Sequence, residues 1–141
     1  MKVTDKELCR LAIEARRQAY APYSGCTVGA ALLAENGTVY TGCNIENAAY
    51  TPTVCAERTA IFKAVSEGVR RFVKIAVAGG KADSFTEKFP PCGVCRQVLA
   101  EFCPPDFTVL VATDGDHYEQ YTLAELLPQG FSPAHVDGGT V

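Results

Sequence analysis

Apolar residues in this chain recur first at helical spacing and then in short runs. Leu8, Leu11, Ala12, Ala15 and Ala19 fall on one face of a helix. Thr4 and Glu7 precede them as a Thr-x-x-Glu capping box. Pro22 disfavours helical geometry at Ala21, so this helix is expected to stop near Tyr20. Thr27–Leu33 reads as a strand. Asn36-Gly37 is a hairpin turn, and Thr38–Ile45 is the returning strand. From Cys55 to Ser66 the stripe Ala56, Ala60, Ile61, Ala64 and Val65 predicts a helix, with Gly68 just past its end.

Val73–Ala78 is a short apolar run and is expected to be a strand buried on both faces. Pro91 opens another helix, with Val94, Val98, Leu99 and Phe102 on one side. Phe107–Thr113 reads as a second buried strand and Tyr118–Tyr121 as an edge strand. Thr122 and Glu125 form a second capping box before a short helix over Leu123–Leu127. Strands joined through helices imply right-handed crossovers and helices on both sheet faces. The expected fold is α/β: a three-layer α/β/α sandwich around a mixed five-stranded sheet.

Length and composition narrow the functional classes. A chain of 141 residues suits one domain, here expected over residues 1–141. Its apolar fraction of 48% and charged fraction of 21% are those of an ordinary globular protein. The formal net charge is −3, and the nearest approach to a basic stripe is Arg70-Arg71. A nucleic-acid partner needs a basic surface to displace counterions from phosphates, so a small neutral substrate is expected instead. The polar start, Met1 to Lys6, lacks the apolar region of a signal peptide, and no stretch is long and apolar enough for a membrane span. A cytoplasmic location is the resulting expectation. Only Asp137–Val141 reads as a disordered tail.

Seven cysteines are an odd number, and in a reducing compartment they stay thiols. Two short patterns concentrate the chemistry: Cys55-Ala56-Glu57 and Pro91-Cys92-Gly93-Val94-Cys95. Each opens a predicted helix, where the helix dipole lowers a thiol pKa. Cys92 and Cys95 are three residues apart, so one helical turn brings both sulfurs to the same side. Three protein ligands with one open position make a catalytic zinc site. Glu57, two residues beyond Cys55, is placed to move protons as general acid and base. Ligand-x-Glu followed by Pro-Cys-x-x-Cys is a signature of zinc deaminases.

Three thiolates on Zn²⁺ leave a net charge of −1, which weakens the metal as a Lewis acid. The two helix N-termini offset part of this. Arg58 is a candidate to hydrogen-bond a ligand sulfur, or else it is an ordinary exposed helix arginine. The competing arrangement is a closed structural zinc site, with a fourth sulfur from Cys26, Cys43 or Cys103. Cys9, Cys26, Cys43 and Cys103 otherwise read as buried small apolar groups. His117 and His135 fall in polar loop or tail regions.

Four stretches carry a family resemblance. They are Val28-Gly29-Ala30-Ala31-Leu32, Cys43-Asn44-Ile45-Glu46-Asn47-Ala48-Ala49-Tyr50, Cys55-Ala56-Glu57-Arg58-Thr59-Ala60 and Pro91-Cys92-Gly93-Val94-Cys95-Arg96-Gln97. On these the chain resembles the cytidine deaminases of the small homotetrameric type. The resemblance implies one Zn²⁺ per subunit and deamination of cytidine and deoxycytidine in pyrimidine salvage. It implies that Asn44 and Glu46 bind the ribose, that Glu57 bonds to the pyrimidine ring nitrogen, and that the Ala56 N–H reaches the base carbonyl. It places Phe131 over a neighbouring subunit's site and Tyr50 across a subunit interface. Cys26 stands where the family usually has a Phe that packs on the base. Relatives acting on modified cytosine nucleosides such as blasticidin S share the zinc motifs. A non-catalytic zinc-stabilised binding module is the alternative from another class.

Overall fold

In the computed structural model, residues 2–81 and 87–137 are described. The Thr4 hydroxyl accepts from the Glu7 N–H at 3.1 Å, and the Glu7 carboxylate accepts from the Thr4 N–H at 3.4 Å. This reciprocal cap starts helix α1, Asp5–Ala15, which tightens into a 3₁₀ turn over Arg16–Gln18. The helical path ends at Gln18, capped at Ala19, which agrees with the stop near Tyr20 that Pro22 signals. Tertiary pairing then takes over: the Tyr20 N–H donates to the Asn44 carbonyl at 3.0 Å, which holds Tyr20 in an extended bridge with Ile45.

Five strands form one sheet: β1 Cys26–Ala34, β2 Val39–Cys43, β3 Phe72–Lys81, β4 Thr108–Ala112 and β5 Tyr118–Thr122. Their order is β2-β1-β3-β4-β5. Only β3 and β4 run parallel, and the other neighbours are antiparallel, so the sheet is mixed as expected. β3 is longer than the apolar run Val73–Ala78, because β1 pairs with it out to Cys26 opposite Lys81. Val73 itself is 43% exposed, so burial on both faces begins only at Ile75. At β2 the pairing stops at Cys43, short of the expected Ile45.

Alternation along the strands feeds two cores. Leu8, Cys9 and Ala12 of α1 pack on Ala31, Ala76, Ala78, Leu110 and Ala112. On the opposite face lie α2, Ala56–Ser66, and α3, Gly93–Phe102. Their Ala60, Ile61, Ala64 and Leu99 pack on Ala30, Leu32, Ile75, Val77, Val109 and Val111. Each fully buried Leu, Ile or Val contributes about 1.5–3 kcal/mol, which makes these two interfaces the main stabilising surfaces.

Two glycines let the helices come close. A Cβ at Gly29 would lie 1.9 Å from the Ala12 carbonyl oxygen of α1. One at Gly42 would lie 2.5 Å from the Ala56 oxygen and the Ala60 nitrogen of α2. The second contact matters most for function, because it seats the first turn of α2 directly on the end of β2. Thr59 adds a bond there, donating from its hydroxyl to the Cys43 carbonyl at 2.9 Å.

After β5, the Thr122–Glu125 capping box starts α4, Leu123–Leu126. The last described element is a short helix α5, Ala134–Asp137, which takes in Asp137, the first residue of the expected disordered tail. The rest of that tail, residues 138–141, lies outside the described residues. No described helix is long and apolar enough to cross a membrane.

Candidate metal centre

Cys55 and Cys92 are both N-caps. Each holds extended backbone angles immediately before a helix, α2 for Cys55 and α3 for Cys92. Cys55 is delivered to this position by the bridge of Val54 with Ile45, whose two N–H···O bonds are both 3.0 Å long. The Cys92 sulfur accepts from the Cys95 N–H at 3.5 Å, so a thiol does here what a cap hydroxyl does elsewhere. The two helix N-termini therefore converge on one point, and their partial positive charges favour thiolates.

The three sulfurs gather there. Cys55 Sγ lies 3.6 Å from Cys92 Sγ, Cys92 Sγ lies 3.5 Å from Cys95 Sγ, and all three lie within 4.8 Å of one another. With metal–sulfur bonds of ~2.3 Å, a tetrahedral site needs sulfurs about 3.8 Å apart, so the donor set fits zinc. Cys95 is buried, Cys55 half-buried and Cys92 exposed, which leaves the centre open on one side. Cys26, Cys43 and Cys103 are not in this group, so a closed four-sulfur site is not what the described residues form. Of the four cysteines read as buried apolar groups, Cys9 and Cys103 are buried, whereas Cys26 and Cys43 are only half-buried.

The electrostatics show how tightly the cluster is coupled. The Cys55 thiol is pushed down to about 5, chiefly by its hydrogen bond with Cys95, with Arg58 and Cys92 adding to the effect against burial. The Cys95 thiol is driven the other way by the same bond and by burial. A bound dication would favour the thiolate form of its ligands. Arg58 Nη2 sits 3.4 Å from Cys55 Sγ, so this arginine is not a freely solvated helix residue.

Glu57 is 3% exposed, and its Oε1 has no hydrogen-bond partner. Burial pushes its carboxyl up to about 7. The Cys95 and Cys55 groups both act on it, which puts the carboxyl at the sulfur cluster. A buried acceptor without a partner is costly, about 1–3 kcal/mol, and is retained where a ligand supplies the missing bond. Ala56, between Cys55 and Glu57, is fully buried in the first turn of α2.

The other predicted residues spread along the adjoining loops. The Asn44 Oδ1 accepts from the Val28 N–H at 2.8 Å, and its Nδ2 donates to the Cys26 carbonyl at 2.9 Å. One amide hydrogen and one lone pair remain beyond those two bonds. Glu46 accepts from the N–H groups of Tyr23 and Ser24 at 2.9 and 3.1 Å, and from the Ser24 hydroxyl. The Ser24 hydroxyl bond, followed by the backbone N–H groups of Ser24 and Tyr23, holds the Glu46 carboxyl below its ordinary range. Tyr23, Ser24, Glu46, Asn47, Tyr50 and Thr53 line a cleft of roughly 360 Å³. Tyr50 has φ +64° and meets the Tyr23 ring edge-on at 6.2 Å. Cys26 begins β1, half-buried, with its backbone held by Ser24 and Asn44. Phe131 is 59% exposed and stacks on His135 at 5.3 Å.

Sequence reasoning missed Ser24 and Thr59. Their partners, Glu46 and the Cys43 carbonyl, are 22 and 16 residues away, so no local pattern announces them. A more apolar hollow of roughly 450 Å³ lies elsewhere, between Ala100, Cys103, Leu123 and Leu127, and contains none of the predicted site residues.

A sulfur triad at two helix N-termini with a buried acid beside it, on a mixed α/β sheet, defines a zinc-dependent deaminase. Residues 2–111 match the family model described as the cytidine and deoxycytidylate deaminase zinc-binding region. The chain belongs to that family. It is 55% identical over 119 residues to a cytidine deaminase of Sporosarcina psychrophila, covering 84% of this chain and 85% of the relative. To the cytidine deaminase of Halalkalibacterium halodurans it is 52% identical over 125 residues, covering 89% and 92%. The crystal structure of cytidine deaminase from Burkholderia pseudomallei superposes with a TM-score of 0.83 at 41% identity, covering 92% of this chain and all of that one (100%). The Mycobacterium tuberculosis cytidine deaminase gives 0.78 at 37%, covering 92% and 98%.

Proposed function

We propose that this enzyme hydrolyses cytidine and deoxycytidine to uridine and deoxyuridine with release of ammonia. The observation that carries the reading is Glu57: a carboxylate 3% exposed, with one oxygen lacking a partner, beside three zinc-ligand cysteines. Cys55, Cys92 and Cys95 would hold the zinc, which when bound supplies Lewis acidity that activates water near neutral pH. Glu57 takes one proton from the attacking water and gives it to the pyrimidine ring nitrogen, then takes the second from the new C4 hydroxyl and gives it to the leaving amine. The C4–N bond breaks, a C4–O bond forms, and ammonia departs with its third hydrogen. The Ala56 N–H, in the first turn of α2, donates to the base carbonyl.

Asn44 and Glu46 recognise the ribose hydroxyls. Asn44 keeps one donor and one acceptor free beyond its bonds to β1. The Ser24 hydroxyl on Glu46 occupies the place that a sugar hydroxyl donor would take. A carboxylate there also disfavours a phosphorylated sugar by like-charge repulsion. Cys26 leaves the base without the usual aromatic neighbour.

The working unit in this reading is one catalytic domain per chain, assembled as a cytoplasmic homotetramer that serves pyrimidine salvage. Exposed Tyr20, Tyr50 and Phe131, at 56%, 72% and 59%, are the kind of aromatic surface that a partner copy covers. Phe131 would then reach over a neighbouring site, Tyr50 would cross the interface, and a monomer would be inactive.

The test is a spectrophotometric assay on cytidine, deoxycytidine, cytidine monophosphate and blasticidin S, with zinc content measured in the same samples. Both nucleosides should turn over and the monophosphate should not. Glu57→Gln should keep zinc and fold but lose ~10²-fold or more in kcat. Zinc-loaded protein that releases no ammonia from either nucleoside would overturn the proposal.

A further inference from the structure

The segment after α4, residues 127–133, carries Phe131; it meets the core at Leu127, and Pro128, Gln129 and Phe131 beyond it are exposed. The apolar hollow of roughly 450 Å³ lies between this arm and α3, lined by Leu127, Gly130 and Ser132 on one side and Ala100 and Cys103 on the other. Beyond Leu127 the arm borders this open hollow on one side, where it makes no dispersion contacts, so packing fixes it less than it fixes the core. The arm also contains strain: Gln129 has φ +58°, a left-handed conformation that a non-glycine residue keeps only when its surroundings enforce it.

Polar bonds from α3 supply that enforcement. Arg96 Nε donates to the Pro91 carbonyl at 2.7 Å, and its Nη1 donates to the Leu126 carbonyl at 2.6 Å. One guanidinium thus joins the residue before the metal ligand Cys92 to the start of the arm. Gln97 Nε2 donates to the Phe131 carbonyl at 2.8 Å. At its far end the arm is tied to α5: Phe131 stacks on His135, and the Ser132 N–H donates to His135 Nδ1 at 3.1 Å.

We infer that Arg96 and Gln97 are positioning residues: together they latch the Phe131 arm to the metal-bearing end of α3, and so set substrate affinity. Arg96 fixes the root of the arm relative to the Cys92 loop, and Gln97 fixes the backbone of Phe131 itself. This rests on the reading that Phe131 contacts bound nucleoside. Gln97 is exposed and Arg96 only half-buried, so a Gln97 substitution leaves both cores intact.

The experiment is a double-mutant cycle on the zinc-loaded enzyme with Gln97→Leu and Phe131→Ala. Gln97→Leu should raise KM for cytidine about 3- to 10-fold, the effect of one lost hydrogen bond, with kcat within about 2-fold of wild type and zinc content full. In the Phe131→Ala background, Gln97→Leu should add nothing further to KM. Additive effects, or zinc loss in Gln97→Leu, would overturn the latch. If Phe131→Ala alone leaves KM unchanged, the substrate-contact reading of Phe131 fails. The latch is then decided by amide exchange at residues 130–132: faster exchange in Gln97→Leu supports it, and unchanged exchange refutes it.

Discussion

Arg58 Nη2 lies 3.4 Å from Cys55 Sγ, a charged donor on a cysteine sulfur one helical turn away. In the zinc site proposed above, three thiolates would exceed the charge of the metal by one, and this contact would draw electron density from one sulfur as well as orient it. Arg58→Ala is expected to cost about 10- to 100-fold in zinc affinity or activity. Arg58→Lys should recover only part of this, because an ammonium cannot reproduce the planar fork. Competition against a graded chelator, run beside steady-state kinetics, separates the two effects. Wild-type values for both in Arg58→Ala would remove Arg58 from the site.

Glu46 supplies a pH signature. Its folded-state carboxyl lies below the ordinary range because the Ser24 hydroxyl and two backbone N–H groups bond to the anion. A depressed folded value means that the unfolded chain takes up the proton first. The contribution to stability is therefore full above the unfolded value of ~4.3 and is lost as pH falls through the folded value. Acid titration followed by near-ultraviolet circular dichroism should show this loss in the wild type. Glu46→Gln should flatten it. An identical acid profile for both proteins would rule out the linkage.

The two close-approach glycines are expected to be intolerant of a single methyl. At Gly42 the added Cβ would meet the backbone of Ala56 and Ala60 at 2.5 Å, which no side-chain rotation relieves. Gly42→Ala should cost about 3 kcal/mol and should also displace the first turn of α2, so zinc is lost along with stability. Gly29→Ala, on the opposite face against α1, should destabilise similarly but leave the zinc stoichiometry of the folded fraction intact. Thermal unfolding with metal analysis distinguishes them. Equal zinc retention in both would show that α2 is not seated through Gly42.

Cys26 stands where the family resemblance leads one to expect a base-stacking Phe. It starts β1 half-buried, with its backbone held by Ser24 and Asn44. If its side chain faces the base, Cys26→Phe adds a stacking surface worth roughly 1–3 kcal/mol, and KM for cytidine falls. An unchanged or raised KM excludes a direct base contact there.

The elements that were easiest to read are those whose signals are local. Both capping boxes, Thr4–Glu7 and Thr122–Glu125, start helices in the structure. The apolar runs around Val77 and Val111 are buried strands. Boundaries set by distant partners were not legible. The length of β3 depends on its pairing with β1, and β2 stops at Cys43 where Ile45 turns to bridge Val54.

By itself the sequence determined the chemistry of the centre: three thiols and a carboxylate at fixed spacing, two of the thiols at helix starts. Spacing suffices there because the helix and its dipole are local consequences of the residues involved. Tertiary structure decided whether those groups meet. Cys55 and Cys92 are 37 residues apart, and their sulfurs lie within 3.6 Å because Gly42 admits α2 onto β2. It also decided the occupation of Asn44 and Glu46 by β1 and the Tyr23–Ser24 turn, and the holding of the Phe131 arm by Arg96 and Gln97 over a hollow. These are pairings across the fold, fixed by how the helices and sheet pack, and no period in the chain encodes them.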